Sequence, residues 1–233
     1  MHAAAHISAP CALPPTPLLA RALGRYDYAD AMALQATLVA GVIAGTVRQQ
    51  VLLLEHPPVY TLGRGADAAD LRGAPERLGV PVQRVGRGGG ATFHGPGQLV
   101  AYPIVRLRGG GLDLHGYVRA LQRALIDTCA AYGVAAHAPA DQIGVWVGAR
   151  KIGSIGIGVR RAVAFHGVAL NVSTELRYFE PIVACRAPGL AFTTMVAELG
   201  GRGPTLAEVG NQFARALADE LGVGLDDQEL AWP

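Results

Sequence analysis

Lysine is nearly missing from this chain. Of the 20 basic residues, 19 are arginine and only Lys151 is lysine. A Walker A nucleotide loop is excluded on that count, because it needs lysine after glycine and Lys151 follows Arg150. Excess charge of one sign is also lacking. The 20 bases face 18 acids for a formal net charge of +2, with no basic run, which argues against a nucleic-acid partner. Cysteine is scarce: Cys11, Cys129 and Cys185 form no CxxC pair, so neither a disulfide framework nor a cysteine-rich zinc site is expected. The histidines show no HExxH or comparable metal spacing, and no GxSxG elbow is present. No stretch approaches the roughly 20 apolar residues of a membrane-spanning helix. Residues 1–20 carry no base and have three prolines in their second half, unlike a secretory signal. They read as a flexible leader, and residues 21–233 as a single domain of a cytoplasmic protein.

What is present is aliphatic and punctuated by glycine. Hydrophobic residues make up 51% of the chain, enough for a sizeable core. Tyr28, Met32, Ala36, Val39 and Ile43 recur at helical spacing and predict a helix over 27–44. Asp113 caps a second expected helix, whose face carries Leu114, Tyr117, Leu121, Leu125 and Cys129. Thr205 with Glu208 forms a capping box that opens a last helix through about Leu221. Short β-rich runs at 51–56, 82–85, 98–107, 143–148, 151–159 and 164–172 read as strands. The last three are joined by tight turns and are therefore expected to be antiparallel. The fold class is α+β, a largely antiparallel mixed sheet flanked by helices.

Two glycine clusters interrupt this pattern. RGGGATFHGPGQ (residues 87–98) holds five glycines between expected strands, so its backbone can approach a ligand closely, although a purely structural loop fits the letters too. The dinucleotide pattern GxGxxG is met only loosely, by Gly86, Gly88 and Ala91, and a strand follows instead of a helix. GSIGIG (153–158) lies inside a strand, where glycine signals either a bulge or another body against the backbone.

A chain that writes arginine nineteen times and lysine once raises the question of what Lys151 does that arginine cannot. Lysine can lose its proton and arginine cannot, which suits acid/base chemistry; chance drift is the competing explanation. Cys129 sits on an apolar helix face, where a thiol is ordinarily inert. Cys185 lies in the irregular stretch EPIVACRAPGL beside Arg186, where positive charge favours a reactive thiolate, and a buried structural role remains the alternative.

LEHPPVYTLGR (54–64), RGGGATFHGPGQLVAYPI (87–104), KIGSIGIGV (151–159), HGVALNV (166–172) and Cys185 together resemble the bacterial octanoyltransferases of lipoate biosynthesis. The likeness implies the fold shared with biotin and lipoate protein ligases. It also implies transfer of octanoyl from acyl carrier protein to a lysine of lipoyl domains, in 2-oxoacid dehydrogenase acyltransferase subunits and glycine cleavage H protein. On that resemblance Cys185 is the acyl-thioester nucleophile and Lys151 its partner. The substrate segments are Arg87, Gly88, Gly89, Gly90, Ala91, Thr92, Phe93 and His94; Ser154, Ile155 and Gly156; and Gly167, Val168 and Ala169. No cofactor or metal is implied, and no membrane or nucleic-acid partner. His94 and the glycine-loop amides are expected to hold an oxyanion. One departure stands out: the family commonly has PCG around the nucleophile, whereas this chain has Ala184, Cys185 and Arg186. An ATP-dependent lipoate or biotin ligase, or a non-catalytic acyl or lipoyl-domain binder, are the alternatives.

Overall fold

Both faces of one sheet are covered, which explains why its central strands are apolar almost without interruption. The computed structural model describes residues 16–67, 70–71, 79–107, 113–183 and 189–233. In chain order its elements are β1 (Leu18–Arg25), α1 (Tyr28–Ala44), β2 (Gln50–Glu55), β3 (Val59–Leu62), β4 (Val82–Arg84), β5 (Ala91–His94) and β6 (Gln98–Arg106). There follow α2 (Leu114–Ala130), β7 (Val145–Val147), β8 (Arg150–Arg160), β9 (Val163–Asn171), α3 (Met195–Glu198), α4 (Leu206–Leu221) and β10 (Leu225–Glu229).

Seven strands form the main sheet in the order β10-β1-β2-β6-β9-β8-β7, and β4-β3-β5 form a smaller one. Alternation along β2 and β6 assigns their faces. Val51, Leu53, Leu99 and Ala101 pack beneath α2 and α4 with Leu121, Leu125, Phe213 and Leu217. Leu52, Leu54, Val100, Tyr102 and Ile104 point the other way, onto Leu38, Val39 and Val42 of α1. A strand buried on both sides loses its polar alternation.

Antiparallel pairing runs through β2, β6, β9, β8 and β7; the tight turns had indicated it for β7, β8 and β9 alone. The parallel pairs β1–β2 and β1–β10 are findings the local pattern did not carry. β1 takes Leu18, Leu19 and Ala20 from the segment read as leader. Within the glycine-rich stretch, residues 91–94 form β5, because this apolar run pairs antiparallel with β3.

The caps expected at Asp113 and Thr205 form, and α1 is capped at both ends as well. The Asp27 carboxylate accepts from the backbone N–H of Ala29 at 2.7 Å, and Gly45 closes α1 in the left-handed region. At α4, Glu208 accepts from the Thr205 backbone N–H at 2.8 Å while Thr205 Oγ1 accepts from the Glu208 N–H. Thr205→Ala should cost about 1 kcal/mol, lowering the melting temperature by roughly 2–4 °C. Thermal melts followed by circular dichroism check this, with Thr205→Ser expected to restore the wild-type value.

Candidate active site

The site is built where β8 runs out of partners. β7 pairs with β8 only as far as Gly153, while β9 continues along its other edge in unbroken register to Arg160. Gly88 fills the open edge, donating its N–H to the Ile157 carbonyl at 2.9 Å. The turn at 87–90 is tied in turn to 63–65, with Arg64 N–H on the Arg87 carbonyl at 3.0 Å and Gly65 N–H on that of Gly89 at 3.0 Å. The two segments that looked separate in the sequence are thus one hydrogen-bonded unit.

Arg87 holds this unit together from inside. Its Nη2 donates to the Thr61 carbonyl at 2.9 Å and to Thr61 Oγ1 at 2.7 Å, and Nη1 donates to the Gly88 carbonyl at 3.0 Å. The side chain is buried against Gly156, where a Cβ would come within 3.0 Å of Arg87 Cδ. The β8–β9 register is regular, whereas the pairing with β7 shifts by one residue between Lys151 and Gly153, so an irregularity accompanies the glycine at 153 and none accompanies those at 156 and 158. The body against Gly156 is Arg87, and the bodies against Gly153 and Gly158 are the side chains of Val145 and Phe165.

A narrow cavity of about 50 Å³ lies between these segments. Arg87, Gly89, Gly90, Ala91, Thr92 and His94 line one wall, and Ser154, Ile155, Gly156, Gly167, Val168 and Ala169 the other. Of the expected substrate segments only Gly88 and Phe93 stay out of it. Phe93 turns into the core of the small sheet, stacked on Tyr178 at 4.7 Å. Tyr28, Tyr102 and His166 close the cavity, and the sequence patterns did not assign them there. Tyr28 was legible only as a helix residue, and Tyr102 only as a strand residue.

Lys151 lies next door, at the base of an open cleft of about 810 Å³. Gly89, Gly90, Ile155 and Gly156 line both spaces, so cleft and slot adjoin. Only 2% of Lys151 is exposed. Its Nζ donates to the Ile143 carbonyl at 3.2 Å and stands 4.8 Å from the centre of the Trp146 ring, a cation–π contact. Gly144, at φ 136°, passes so close that a Cβ there would sit 3.1 Å from Nζ. On the backbone, Lys151 N–H donates to the Ala191 carbonyl at 2.8 Å and its carbonyl accepts from Thr193 at 3.0 Å. Leu190 also lines the cleft. Cys185 lies outside the described residues.

Three buried histidines sit behind the slot. Asn171 Nδ2 donates to the Thr193 carbonyl, Gln98 Nε2 to Asn171 Oδ1 and to the Phe93 carbonyl, so Gln98 Oε1 is left to accept from His94 Nδ1 at 2.7 Å. This network assigns the Nδ1–H tautomer and leaves a lone pair on Nε2. In this network the His94 ring is fixed by Gln98 through Nδ1. His56 donates from Nδ1 to the Tyr26 carbonyl at 2.7 Å and accepts at Nε2 from the Tyr102 hydroxyl at 2.8 Å. Burial holds all three neutral, lowering His94 to about 3 and His56 and His166 to about 4. Burial also lifts Tyr28 to about 12, so its hydroxyl keeps its proton.

Residues 27–218 match the family model described as the lipoyl protein ligase A/B catalytic domain. An octanoyltransferase of Solibacter usitatus is 48% identical over 202 residues, covering 85% of this chain and 90% of that protein. Among solved structures, a lipoate-protein ligase A bound with ATP superposes with a TM-score of 0.74 at 15% identity, covering 91% of this chain and 88% of that one. A biotin protein ligase from Leishmania major in complex with biotin reaches 0.52 at 14% identity, covering 88% and 74%. The two structural likenesses speak for the fold, as expected from the sequence. Among the described residues no helix is long and apolar enough to cross a membrane, and no cluster of three or more metal-binding side chains occurs.

The neutral histidines make stability depend on acidity. Each binds its proton more readily in the unfolded chain, so their stabilisation is full above the ordinary value of 6.5 and is lost as pH falls toward about 4. Thermal melts from pH 7.5 to 4.5 should show a steep fall below 6.5, by up to about 1.4 kcal/mol per pH unit for each group. His56→Gln should flatten that profile. A wild-type profile flat across the range would mean that the folded protein accommodates the protonated rings.

Proposed function

We propose, from the premise that this chain belongs to the lipoyl protein ligase A/B catalytic domain family and to its octanoyltransferases, that it transfers octanoyl through a thioester on Cys185. The donor is octanoyl on the phosphopantetheine thiol of acyl carrier protein. The acceptors are lipoyl domains, such as those of 2-oxoacid dehydrogenase acyltransferase subunits and glycine cleavage H protein. The observation that carries the reading is the position of Lys151. The only lysine in the chain is buried at the base of a cleft that adjoins a slot of about 50 Å³. Leu190, five positions after Cys185, lines the same cleft, and Ala191 is hydrogen-bonded to the Lys151 backbone.

In the first step the Cys185 sulfur attacks the incoming thioester carbonyl. The carbon–sulfur bond to phosphopantetheine breaks, and that thiol leaves with the proton given up by Cys185. Lys151 holds the thiolate as a cation and relays the proton. In the second step the acceptor lysine amine attacks the acyl-enzyme, an amide forms, and Cys185 recovers its thiol. One thioester exchanges for another before a more stable amide forms, so no nucleotide is consumed. The octanoyl chain lies along the Gly89–Gly90 and Ser154–Gly156 walls, with neutral Tyr28, His94, Tyr102 and His166 around its far end. Fixed N–H groups of the glycine turn are the donors left to steady the oxyanion.

Incubation with octanoyl-acyl carrier protein should add one octanoyl mass, lost in Cys185→Ala. Intact-mass spectrometry reads this directly, and an undiminished adduct on the variant would remove Cys185 from the reaction. Lys151→Arg keeps the charge but cannot give up its proton, and its larger head group meets Gly144 and Trp146. Its turnover should fall by about 10²- to 10⁴-fold, the usual worth of a positioned acid/base. Transfer should proceed without ATP. A dependence on ATP with free octanoate, retained in Cys185→Ala, would instead point to the ligase reaction.

A further inference from the structure

The slot has a second neighbour at its far end. His166 lines it, and the same residue lines a separate cavity of about 440 Å³ on the α1 side of the sheet. Met32 and Val39 of α1 and Phe165 of β9 form apolar walls of that second cavity. His166 therefore borders both a slot of about 50 Å³ and a larger, more open space, whose remaining walls include Gln35, Gln83, Arg84 and Arg160. The slot itself holds on the order of four water-sized groups.

His166 stands there because of its backbone. The β6–β9 register runs Ala101 to Val168 and Val105 to Ala164, which sets Pro103 opposite His166. Proline has no N–H to give, and the ladder is interrupted at that pair. The His166 N–H turns instead to Gln35 Oε1 of α1 at 2.8 Å. The residue adopts φ 56°, left-handed backbone in the middle of a strand. Next to it, a Cβ on Gly167 would overlap the Ala101 carbonyl oxygen and come 2.6 Å from Pro103 Cδ. A strained position held by a proline, a glutamine and a glycine puts one ring at the end of the slot.

Resting on the acyl-transfer reading, we propose that the His166 ring is the partition that limits the length of the acyl chain. An octanoyl chain ends against it. A longer chain has to displace the ring before its tail can reach the space lined by Met32, Val39 and Phe165. Removing the ring joins the slot to that space.

The test measures intact-mass adduct formation with octanoyl-, decanoyl- and dodecanoyl-acyl carrier protein. Misfit in an apolar pocket discriminates by roughly 10- to 200-fold per methylene, so the wild type should strongly prefer octanoyl. His166→Gly, which also relieves the left-handed backbone, should bring the dodecanoyl rate to within about tenfold of the octanoyl rate, a selectivity of less than one methylene's worth. Asparagine tolerates the same backbone, so His166→Asn gives the same reading if the glycine variant does not fold. His166→Phe refills the end of the slot and should keep the wild-type preference. Phe165→Ala enlarges only the second cavity and should keep it as well. An unchanged chain-length profile in a folded His166→Gly or His166→Asn that still takes octanoyl would overturn the partition, as would a profile broadened by Phe165→Ala alone. Absence of any octanoyl adduct on the wild type would instead overturn the acyl-transfer reading itself.

Discussion

The buried guanidinium of Arg87 is the fixed point on which the site depends. A cation taken out of water is tolerated only where hydrogen bonds replace its hydration. Thr61 supplies a carbonyl and a hydroxyl and Gly88 a carbonyl, which binds the turn at 87–90 to β3 in one stroke. The same side chain covers Gly156, and the Gly88 N–H then continues the hydrogen bonding of β8 beyond the end of β7. Glycine is needed at 156 because an arginine side chain crosses there. It is needed at 63 because the Gly89 carbonyl does the same. One cation thus sets where the small sheet sits on the large one, and the slot is the gap left between them.

That cation also shapes the electrostatics. Desolvation is the main reason that His94, His56 and His166 stay neutral, and the charge of Arg87 adds to it at His94 and His166. The same charge opposes the effect of burial on Tyr28. Neutral rings and protonated hydroxyls make a lining that an alkyl chain enters without stripping water from an ion. The lone pair on His94 Nε2 follows from a chain of amides that begins at Thr193, next to the backbone pairing of Lys151. The orientation of one ring in the slot is therefore linked to the strand that carries the lysine.

How much of this was legible in the letters varies with how local the cause is. α1, α2 and α4 were readable because their caps and apolar stripes lie within one turn or one face, as with Thr205 and Glu208. β2 and β6 were readable as apolar runs. β10 was not: LDDQE has poor strand propensity and is a strand because β1 offers it a parallel edge. β1 was partly lost to the leader because its burial depends on the same distant partners. At the site, Lys151 was visible by its rarity and the glycine turn by its composition. Tyr28, His56 and Tyr102 were not, since their meeting depends on α1 packing over β6, and no spacing in the sequence encodes that. The setting of the His94 ring was not legible, because it depends on neighbours, here Gln98 and Asn171, that pattern reading does not connect.

The separation between slot and cleft has a chemical use. A thioester is open to hydrolysis wherever water can reach its carbonyl, and an acyl-enzyme must outlive the interval between the departure of one carrier and the arrival of the next. The proposed reaction assigns the chain end of such an intermediate to the slot, which has room on the order of four water-sized groups. It assigns the carbonyl end to the adjoining cleft of about 810 Å³. Lys151 is in that cleft and yet 2% exposed, beneath Trp146 and the Ile143 carbonyl. An amine placed there is itself poorly hydrated. Under the proposed reaction, water is thus kept from Lys151 as well as from the chain, and the group that reacts is the one that brings its own binding energy.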